Sequence, residues 1–187
     1  MAEIVLFHHA QGLTSGCRAF ASELQAAGHV VHLPDLMDGK TFATLDEGMA
    51  YVRELSFDAV IERGERAVAD LPNALVYAGM SLGLMPAQKL AQTRPGARGA
   101  LLLHGCLPPS EFGGWPAGVS AQIHTMDADE YGDVDVAREF AASVADVELF
   151  EYPGDRHLFT DPSLDDYDEP AASQVRDRAL AFLSGIA

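Results

Sequence analysis

Short apolar segments alternate with longer amphipathic segments along the whole chain. The apolar segments are four to six residues long and are bounded by Gly, Pro or polar residues, which is typical of strands. The amphipathic segments repeat apolar residues at helical spacing, as Phe20 and Leu24 do. The predicted strands cover residues 4–8, 30–33, 74–78, 100–104, 121–126 and 147–152, and the predicted helices cover residues 16–27, 84–92, 134–144 and 171–183, with a mostly helical region over residues 45–71.

This alternation predicts an α/β fold in which a mostly parallel six-stranded sheet carries helices on both faces. Residues 100–103 read Ala-Leu-Leu-Leu, apolar at every position, as expected of a strand that is covered on both sides. We predict a single domain over residues 1–187, because the Pro- and Gly-rich loop 106–118 joins two strands and no linker divides the chain. Ligands of such sheets bind beyond the carboxyl ends of the strands, so reactive residues should follow strands.

The charge of the chain restricts its partners. The 187 residues carry a formal net charge of −16 with no basic stretch, so we expect neither nucleic acid nor an anionic membrane as a partner. No apolar run approaches the roughly 20 residues that span a bilayer, and the acidic start of the chain does not resemble a signal peptide. The two distant cysteines, Cys17 and Cys106, predict neither a disulfide framework nor a zinc site and favour a cytoplasmic location.

A candidate nucleophile follows the third predicted strand. The sequence Gly79-Met80-Ser81-Leu82-Gly83 matches the G-x-S-x-G motif and stands between a strand and a helix, which is the context that the motif requires. The small residues two positions either side of Ser81 permit a sharp turn that lifts the hydroxyl above the sheet. The helix N-terminus that follows favours developing negative charge. The pattern therefore predicts nucleophilic catalysis by Ser81.

A serine nucleophile needs a general base and a carboxylate that orients the base. His157 lies in the loop after the last predicted strand, where the base is expected. The acid is expected after the preceding strand, where Asp127 and Asp129 lie. We favour Asp129, because it lies on the loop and can turn toward the histidine, and we keep Asp127 as the alternative. Asp155, two residues before His157, is interpreted as a loop cap.

The loop after the first predicted strand supplies candidate contacts to a substrate. We expect the N–H of Ala10, with that of Gln11 as the alternative, to form an oxyanion hole together with the N–H of Leu82. We also predict that the substrate contacts His9, Gln11 and Met80.

Other histidines and apolar residues near these loops leave their roles open. His8 and His9 are adjacent in a strand, so their side chains point to opposite sides and cannot easily share one metal ion. We therefore predict no metal site and no cofactor. His104 ends a strand and is either structural or part of a pocket. The apolar residues on the same edge line a pocket or belong to the core: Met80, Phe112, Trp115, Tyr131 and Phe159.

These segments resemble the dienelactone hydrolase family of the α/β-hydrolases, and the resemblance extends over nearly the whole chain. The resemblance implies a compact α/β-hydrolase fold without a lid and a triad of Ser81, His157 and Asp129. It also implies a cytoplasmic location. The similar segments are His9-Ala10-Gln11-Gly12, Leu33-Pro34-Asp35-Leu36, the turn at Ser81, the acid region near Asp129, and Tyr152-Pro153-Gly154-Asp155-Arg156-His157-Leu158-Phe159.

One difference from the family bears on the substrate. The nucleophile of the well-known dienelactone hydrolases is a cysteine, partnered by a carboxylate near the oxyanion loop, whereas this chain has Ser81 and, at the matching position, His9. The resemblance therefore does not imply dienelactone as the substrate. We expect a serine hydrolase that cleaves a small carboxylic ester, thioester or lactone, as a monomer or homodimer.

Two other functions compete with hydrolysis. A binding or regulatory protein that keeps the hydrolase fold without catalysis would hold Ser81 and His157 more than about 6 Å apart, beyond hydrogen-bond reach. A flavodoxin-like or nucleotide-binding domain would carry a phosphate loop, and the sequence contains neither GxGxxG nor GxxxxGK followed by Ser or Thr. The order of Ser81, Asp129 and His157 along the chain favours the hydrolase.

Overall fold

The computed structural model describes residues 1–186 and shows the predicted order of strands and helices. Within that range no helix is both long enough and apolar enough to cross a membrane. The strands are β1 (Glu3–Phe7), β2 (Val30–His32), β3 (Val76–Met80), β4 (Gly99–Leu103), β5 (Ser120–Met126) and β6 (Val147–Tyr152). The helices are α1 (Ser15–Ala26), α2 (Leu45–Leu55), α3 (Phe57–Ala67), α4 (Leu84–Thr93), α5 (Val134–Ser143) and α6 (Glu169–Ile186), with 3₁₀ turns at Ser81–Gly83 and Pro109–Phe112.

Within residues 1–186 the six strands form one parallel sheet in the order β2-β1-β3-β4-β5-β6. The chain runs from β1 outward to β2, crosses back to β3, and then continues in one direction to β6. The direction therefore reverses between β1 and β3, which pair from Ile4 with Val76 to Phe7 with Gly79. A reversal of this kind opens a crevice at the carboxyl ends of the two strands, where a ligand site is expected.

Helices cover both faces of the sheet, as predicted. On one face α1 and α6 pack against the strands through side chains that include the fully buried Leu24 and Val175. On the other face α2, α3 and α5 pack through Val52, Val60 and Phe140, together with α4. Because both faces are covered, β3 and β4 are buried along their whole length, which explains why their sequences are apolar throughout.

The structure places β3 two residues later than the sequence predicts. Gly79 and Met80 belong to the strand, because they pair with Leu102 and Leu103 of β4. Ser81 therefore follows the last paired residue directly. This shift puts the hydroxyl at the edge of the sheet, where the crevice opens.

The region predicted as mostly helical over residues 45–71 divides into α2 and α3 at Ser56. The φ of Ser56 is 81°, in the left-handed region, so the first helix cannot continue through this residue. Its hydroxyl then accepts a hydrogen bond of 3.2 Å from the Ala59 N–H and caps the second helix. A single serine thus ends one helix and begins the next.

Phe140 anchors α5 to the sheet and should contribute strongly to stability. Its side chain is 1% exposed and meets the Trp115 ring edge-on, with 5.0 Å between ring centroids. We expect Phe140→Ala to lower the free energy of unfolding by about 3–5 kcal/mol, because it leaves a cavity in the core. Urea denaturation followed by circular dichroism would measure the loss. The matched control Phe57→Ala removes a side chain that is 41% exposed, and an equal loss in both variants would contradict this packing.

Candidate active site

Ser81 stands at the carboxyl end of β3 in a strained backbone conformation. Its φ is 49°, in the left-handed region that residues other than glycine rarely adopt. Two glycines make the turn possible. A Cβ at Gly79 would overlap the Gly83 carbonyl oxygen, and a Cβ at Gly83 would overlap the Phe7 carbonyl oxygen. The turn is therefore pressed against the end of β1, with Ser81 half-buried at the mouth of a cleft.

Ser81, His157 and Asp129 form one chain of hydrogen bonds. Ser81 Oγ lies 2.6 Å from His157 Nε2, and His157 Nδ1 lies 2.7 Å from Asp129 Oδ2. His157 and Asp129 are buried, with exposed fractions of 5% and 4%. A carboxylate at Nδ1 keeps the proton on that nitrogen, so Nε2 can accept the proton of the Ser81 hydroxyl. The structure thus brings together the three residues that the sequence selects as the triad.

The three aspartates near His157, two of them candidate acids, occupy different positions. Asp129 reaches the imidazole, and its second oxygen accepts a hydrogen bond of 2.9 Å from the Tyr131 N–H. Asp127 instead accepts a hydrogen bond of 3.0 Å from the Gly154 N–H and so ties the loop after β5 to the loop after β6. Asp155 makes no side-chain hydrogen bond within residues 1–186, so the interpretation of this residue as a loop cap is wrong.

The peptide between His9 and Ala10 is held in one orientation. The His9 carbonyl oxygen accepts hydrogen bonds from the Gly12 N–H at 3.0 Å and from His8 Nδ1 at 2.8 Å. Because the peptide is trans, the Ala10 N–H points away from these donors, and no acceptor within residues 1–186 pairs with it. The N–H of Leu82 lies in the first turn after β3, where helical N–H groups lack partners. These two N–H groups remain the candidates for the oxyanion hole.

His8 fixes this peptide, a function that the sequence did not indicate. Its Nδ1 donates to the His9 carbonyl oxygen, and its Nε2 accepts a hydrogen bond of 2.9 Å from the Leu36 N–H. Burial lowers the pKa of His8, which keeps the ring neutral with its proton on Nδ1. His8 therefore ties the loop after β1 to the segment after β2.

His9 and Met80, both predicted to contact the substrate, are buried beneath the site and line neither of its clefts. His9 Nε2 lies 2.8 Å from Asp161 Oδ2. Burial acts to lower the pKa of His9, but hydrogen bonds to Asp161 and Cys17 outweigh it and raise the pKa to about 9. The raised pKa favours the imidazolium, which pairs with the Asp161 carboxylate; when the ring is neutral, its Nδ1 accepts a hydrogen bond of 3.3 Å from the Gln11 N–H. His9 therefore holds the loop after β1 through Asp161 and does not face the space that a substrate would occupy.

Asp161 accepts hydrogen bonds from residues of three different segments. Its Oδ2 accepts from His9 and from the Thr14 hydroxyl at 2.5 Å, and its Oδ1 accepts from the N–H and hydroxyl of Ser163 at 2.8 and 2.6 Å. Burial acts to raise the pKa of Asp161, but the hydrogen bonds from His9, Ser163 and Thr14 hold it well below its usual range. His9, Cys17 and Asp161 also place three possible metal-ligand atoms within 4.8 Å of one another. Because both carboxylate oxygens are already occupied by donors, we interpret the group as a structural anchor.

His104 follows β4 directly and lies beside His157. Its φ is 71°, and its Nε2 lies 2.9 Å from the Thr160 hydroxyl. Burial, together with the neighbouring His157, lowers the pKa of His104 well below its usual range, so the ring stays neutral. The His104 and His157 ring centroids lie 5.9 Å apart. Its Nδ1 is buried without a hydrogen-bond partner in the described part of the chain.

Two clefts meet at the His157 imidazole. The apolar cleft has a volume of about 370 Å³ and contains Ser81 and Leu82. The acidic cleft has a volume of about 610 Å³ and contains Gln11 but not Ser81. The apolar cleft is lined further by Leu45, Asp46, Met49, Arg53, Phe57, Leu84, Met85, His104, Gly105, Cys106, Leu107, Tyr131, Gly132 and Asp133. The acidic cleft is lined further by Ala43, Thr44, Leu45, Asp46, Tyr131, Asp155, Arg156, Ser163, Leu164, Asp165 and Asp166.

Of the four aromatic residues left open between pocket and core, Tyr131 lines the clefts. Trp115 packs in the core under α5 and donates a hydrogen bond of 2.7 Å to the Val119 carbonyl oxygen. Phe159 is fully buried on the opposite side of the sheet. Phe112 lies in the 3₁₀ turn after β4 and lines neither cleft.

Ser81, His157 and Asp129, together with the N–H groups of Ala10 and Leu82, lie at one edge of a parallel sheet, and side chains of these types in this order are what acyl transfer needs. The model of the dienelactone hydrolase family matches residues 1–187. The chain belongs to the dienelactone hydrolase family. The family includes hydrolases of the α/β type, and this chain is a hydrolase of that type by its fold and its family.

Solved structures confirm the predicted α/β-hydrolase fold. The chain is similar to the dienelactone hydrolase-like promiscuous phosphotriesterase P91 from metagenomic libraries, at a TM-score of 0.72 and 19% identity, covering 100% of this chain and 87% of that one. It is similar to the dienelactone hydrolase from Anabaena variabilis, at 0.68 and 20%, covering 98% and 86%. It is also similar to the Paleococcus ferrophilus monoacylglycerol lipase, at 0.70 and 15%, covering 99% and 95%. No curated protein matches the sequence.

This dienelactone hydrolase family member should depend on pH through His9. The pKa of His9 is raised from 6.5 to about 9 in the fold, so its pairing with Asp161 stabilises the protein fully below about pH 6.5, and the contribution is lost as pH rises through about 9. We expect the free energy of unfolding in urea to decrease from pH 6.5 to 9, and to decrease less in His9→Gln, which cannot be protonated. Parallel pH profiles for the two proteins would contradict the charge assigned to His9.

Proposed function

We propose that the protein is a serine hydrolase that cleaves a small carboxylic ester, thioester or lactone through an acyl-enzyme intermediate on Ser81. The observation that carries the proposal is the 2.6 Å separation of Ser81 Oγ and His157 Nε2, with Asp129 2.7 Å from the other ring nitrogen. A serine hydroxyl is a weak nucleophile until a base takes its proton, and this geometry supports that transfer. The fold shared with a monoacylglycerol lipase adds support for ester cleavage.

In the first half-reaction Ser81 Oγ attacks the carbonyl carbon while its proton passes to His157 Nε2. The carbonyl oxygen becomes an oxyanion, which the N–H groups of Ala10 and Leu82 stabilise. Asp129 stabilises the imidazolium that forms. The tetrahedral intermediate collapses as the leaving oxygen or sulfur takes the proton from His157, and the acyl group stays on Ser81 as an ester.

In the second half-reaction a water molecule attacks the acyl carbon, and His157 takes a proton from that water. The same two N–H groups hold the second oxyanion. Its collapse breaks the bond to Ser81 Oγ, which recovers its proton from His157, and releases the carboxylic acid. With a lactone the leaving alcohol remains attached to the acyl chain, so the product is a hydroxy acid.

The apolar cleft suggests where the acyl group lies. It contains Ser81 and Leu82, and apolar side chains such as Met49 and Met85 face it. Its volume of about 370 Å³ suits a short or ring-sized acyl group. We therefore retain a small molecule as the expected partner, with the protein acting as a monomer or homodimer in the cytoplasm.

A catalytically silent binding protein receives no support from this geometry. Such a protein has no need to keep serine and histidine within hydrogen-bond reach, yet Ser81 and His157 are 2.6 Å apart. The strained φ of 49° at Ser81 is likewise expected where a reactive group must be held in position.

A fluorophosphonate probe tests the nucleophile directly. The probe should form a phosphonyl ester with Ser81 Oγ and release fluoride, because His157 removes the hydroxyl proton. Peptide mass spectrometry should place the label on Ser81, and Ser81→Ala should take up none. The proposal fails if wild-type protein stays unlabelled under conditions that label a control serine esterase.

The identity of the acid can be tested with a matched pair of variants. Asp129→Asn removes the carboxylate that fixes the His157 tautomer, so we expect kcat for a p-nitrophenyl ester to fall by about 10⁴-fold, the loss typical of a triad. Asp127→Asn leaves the imidazole partner in place and should cause a far smaller decrease, since Asp127 contacts the Gly154 N–H. Equal decreases in the two variants would contradict the assignment of Asp129.

A further inference from the structure

The acidic cleft holds an excess of negative charge beside the general base. Four carboxylates line it, those of Asp46, Asp155, Asp165 and Asp166. Within residues 1–186 none of them has a cationic partner within 4.0 Å, and none accepts a side-chain hydrogen bond. Unpaired carboxylates around one cleft create a local negative potential that attracts cations.

The single cationic residue that lines this cleft in the described part of the chain is Arg156. Its guanidinium donates a hydrogen bond of 2.6 Å to the Tyr167 carbonyl oxygen and lies 3.9 Å from the Asp168 carboxylate. Neither Tyr167 nor Asp168 lines the cleft. Arg156 is thus engaged by a carboxylate outside the cleft and leaves the four inside it unpaired.

Gln11 provides an observation independent of charge. The residue is 6% exposed and lines the acidic cleft. Its Nε2 donates to the carbonyl oxygens of Phe42 at 3.3 Å and Ala43 at 3.1 Å, which fixes the orientation of the amide. Its Oε1 is then left without a donor among residues 1–186. Among residues 1–186, His104 Nδ1 is the one fully buried side-chain polar atom without a partner, so Gln11 Oε1 is reachable from the cleft. There it can accept a hydrogen bond from a ligand or face a positive charge.

Tyr131 adds an aromatic surface to the same place. Its side chain is 65% exposed, and it borders both clefts. Its ring centroid lies 5.3 Å from that of His157. The face of a tyrosine ring attracts ammonium groups, including quaternary ones that carry no N–H.

We propose that the acidic cleft binds a positively charged leaving group, so that the preferred substrates are esters of amino alcohols or of their quaternary ammonium forms. This inference rests on the proposed function and names the substrate class of the same site. The apolar cleft contains Ser81 and therefore takes the acyl group. The acidic cleft borders His157 but not Ser81, so it receives the group that departs with the proton of His157.

The same groups select against anionic substrates. A carboxylate or phosphate in the acidic cleft would face four carboxylates and the acceptor Oε1 of Gln11. The net charge of −16 over the whole chain adds a long-range repulsion of the same sign. Cationic esters, in contrast, are attracted both at a distance and within the cleft.

Two esters with one acyl group and one leaving-group shape test this inference. Butyrylcholine carries a quaternary nitrogen where 3,3-dimethylbutyl butyrate carries a carbon, so the ratio of their kcat/KM values isolates the charge. We expect wild type to prefer the choline ester by roughly tenfold or more at low salt, and the ratio to fall as sodium chloride is raised. A ratio near one at low salt would overturn the inference while leaving the proposed function intact.

A pair of double variants separates the cleft from the overall charge. Asp165→Asn with Asp166→Asn removes two carboxylates from the cleft and should lower the ratio several-fold. Asp70→Asn with Asp177→Asn removes the same charge from exposed positions outside the cleft and should leave the ratio at the wild-type value. An equal decrease in both double variants would show that the overall charge acts, and would overturn the cleft as the binding site.

Binding to Ser81→Ala keeps the test independent of catalysis. Choline, titrated into the ¹⁵N-labelled variant, should shift the NMR signals of the Gln11 side-chain amide, and 3,3-dimethylbutanol at the same concentrations should not. If no ester is hydrolysed and Ser81 takes up no fluorophosphonate, the proposed function fails. The titration still shows whether the acidic cleft binds a quaternary ammonium group. Absence of a choline-specific shift at Gln11 would overturn the inference.

Discussion

The contact between Gly83 and the carbonyl oxygen of Phe7 is the constraint on which the site depends. Because no side chain separates the turn after β3 from the end of β1, Ser81 and the loop after β1 stay close, although their strands lead into connections that leave in opposite directions. A side chain at position 83 would overlap the carbonyl oxygens of Phe7 and His8, so the turn that carries Ser81 or the end of β1 would have to shift. The strained φ of Ser81 persists because the contacts around it leave no alternative.

Much of this architecture could be predicted, because each feature has a local signal. Strands buried on both faces are apolar throughout, and the helices between them have a 3.6-residue period. Ser81, Asp129 and His157 each follow a strand, and parallel strands bring their carboxyl ends to one edge. The sequence therefore predicts that the three residues meet, although the role of each in catalysis stays a proposal.

The supporting contacts could not be predicted, because they join residues with no shared pattern. His9 and Asp161 are 152 positions apart, and a buried paired histidine looks the same in sequence as one that faces a substrate. The fixed amide of Gln11 depends on carbonyl groups of a loop whose path has no sequence period. The interpretation of Asp155 as a loop cap was wrong for a similar reason, because a sequence typical of a turn does not indicate which side chains accept hydrogen bonds.

The first turn of α2 forms a wall that both clefts share. Leu45 and Asp46 line the apolar cleft and the acidic cleft alike, and Gly48 allows the same helix to approach the Ala10 carbonyl oxygen. Ser81, Asp129 and His157, in contrast, follow strands and not α2. On the proposed assignment of the clefts, a mutation of Leu45 or Asp46 would therefore alter the space for the acyl group and the space for the leaving group at once. Under that proposal, the acyl preference and the alcohol preference of the protein could not be tuned independently at this turn.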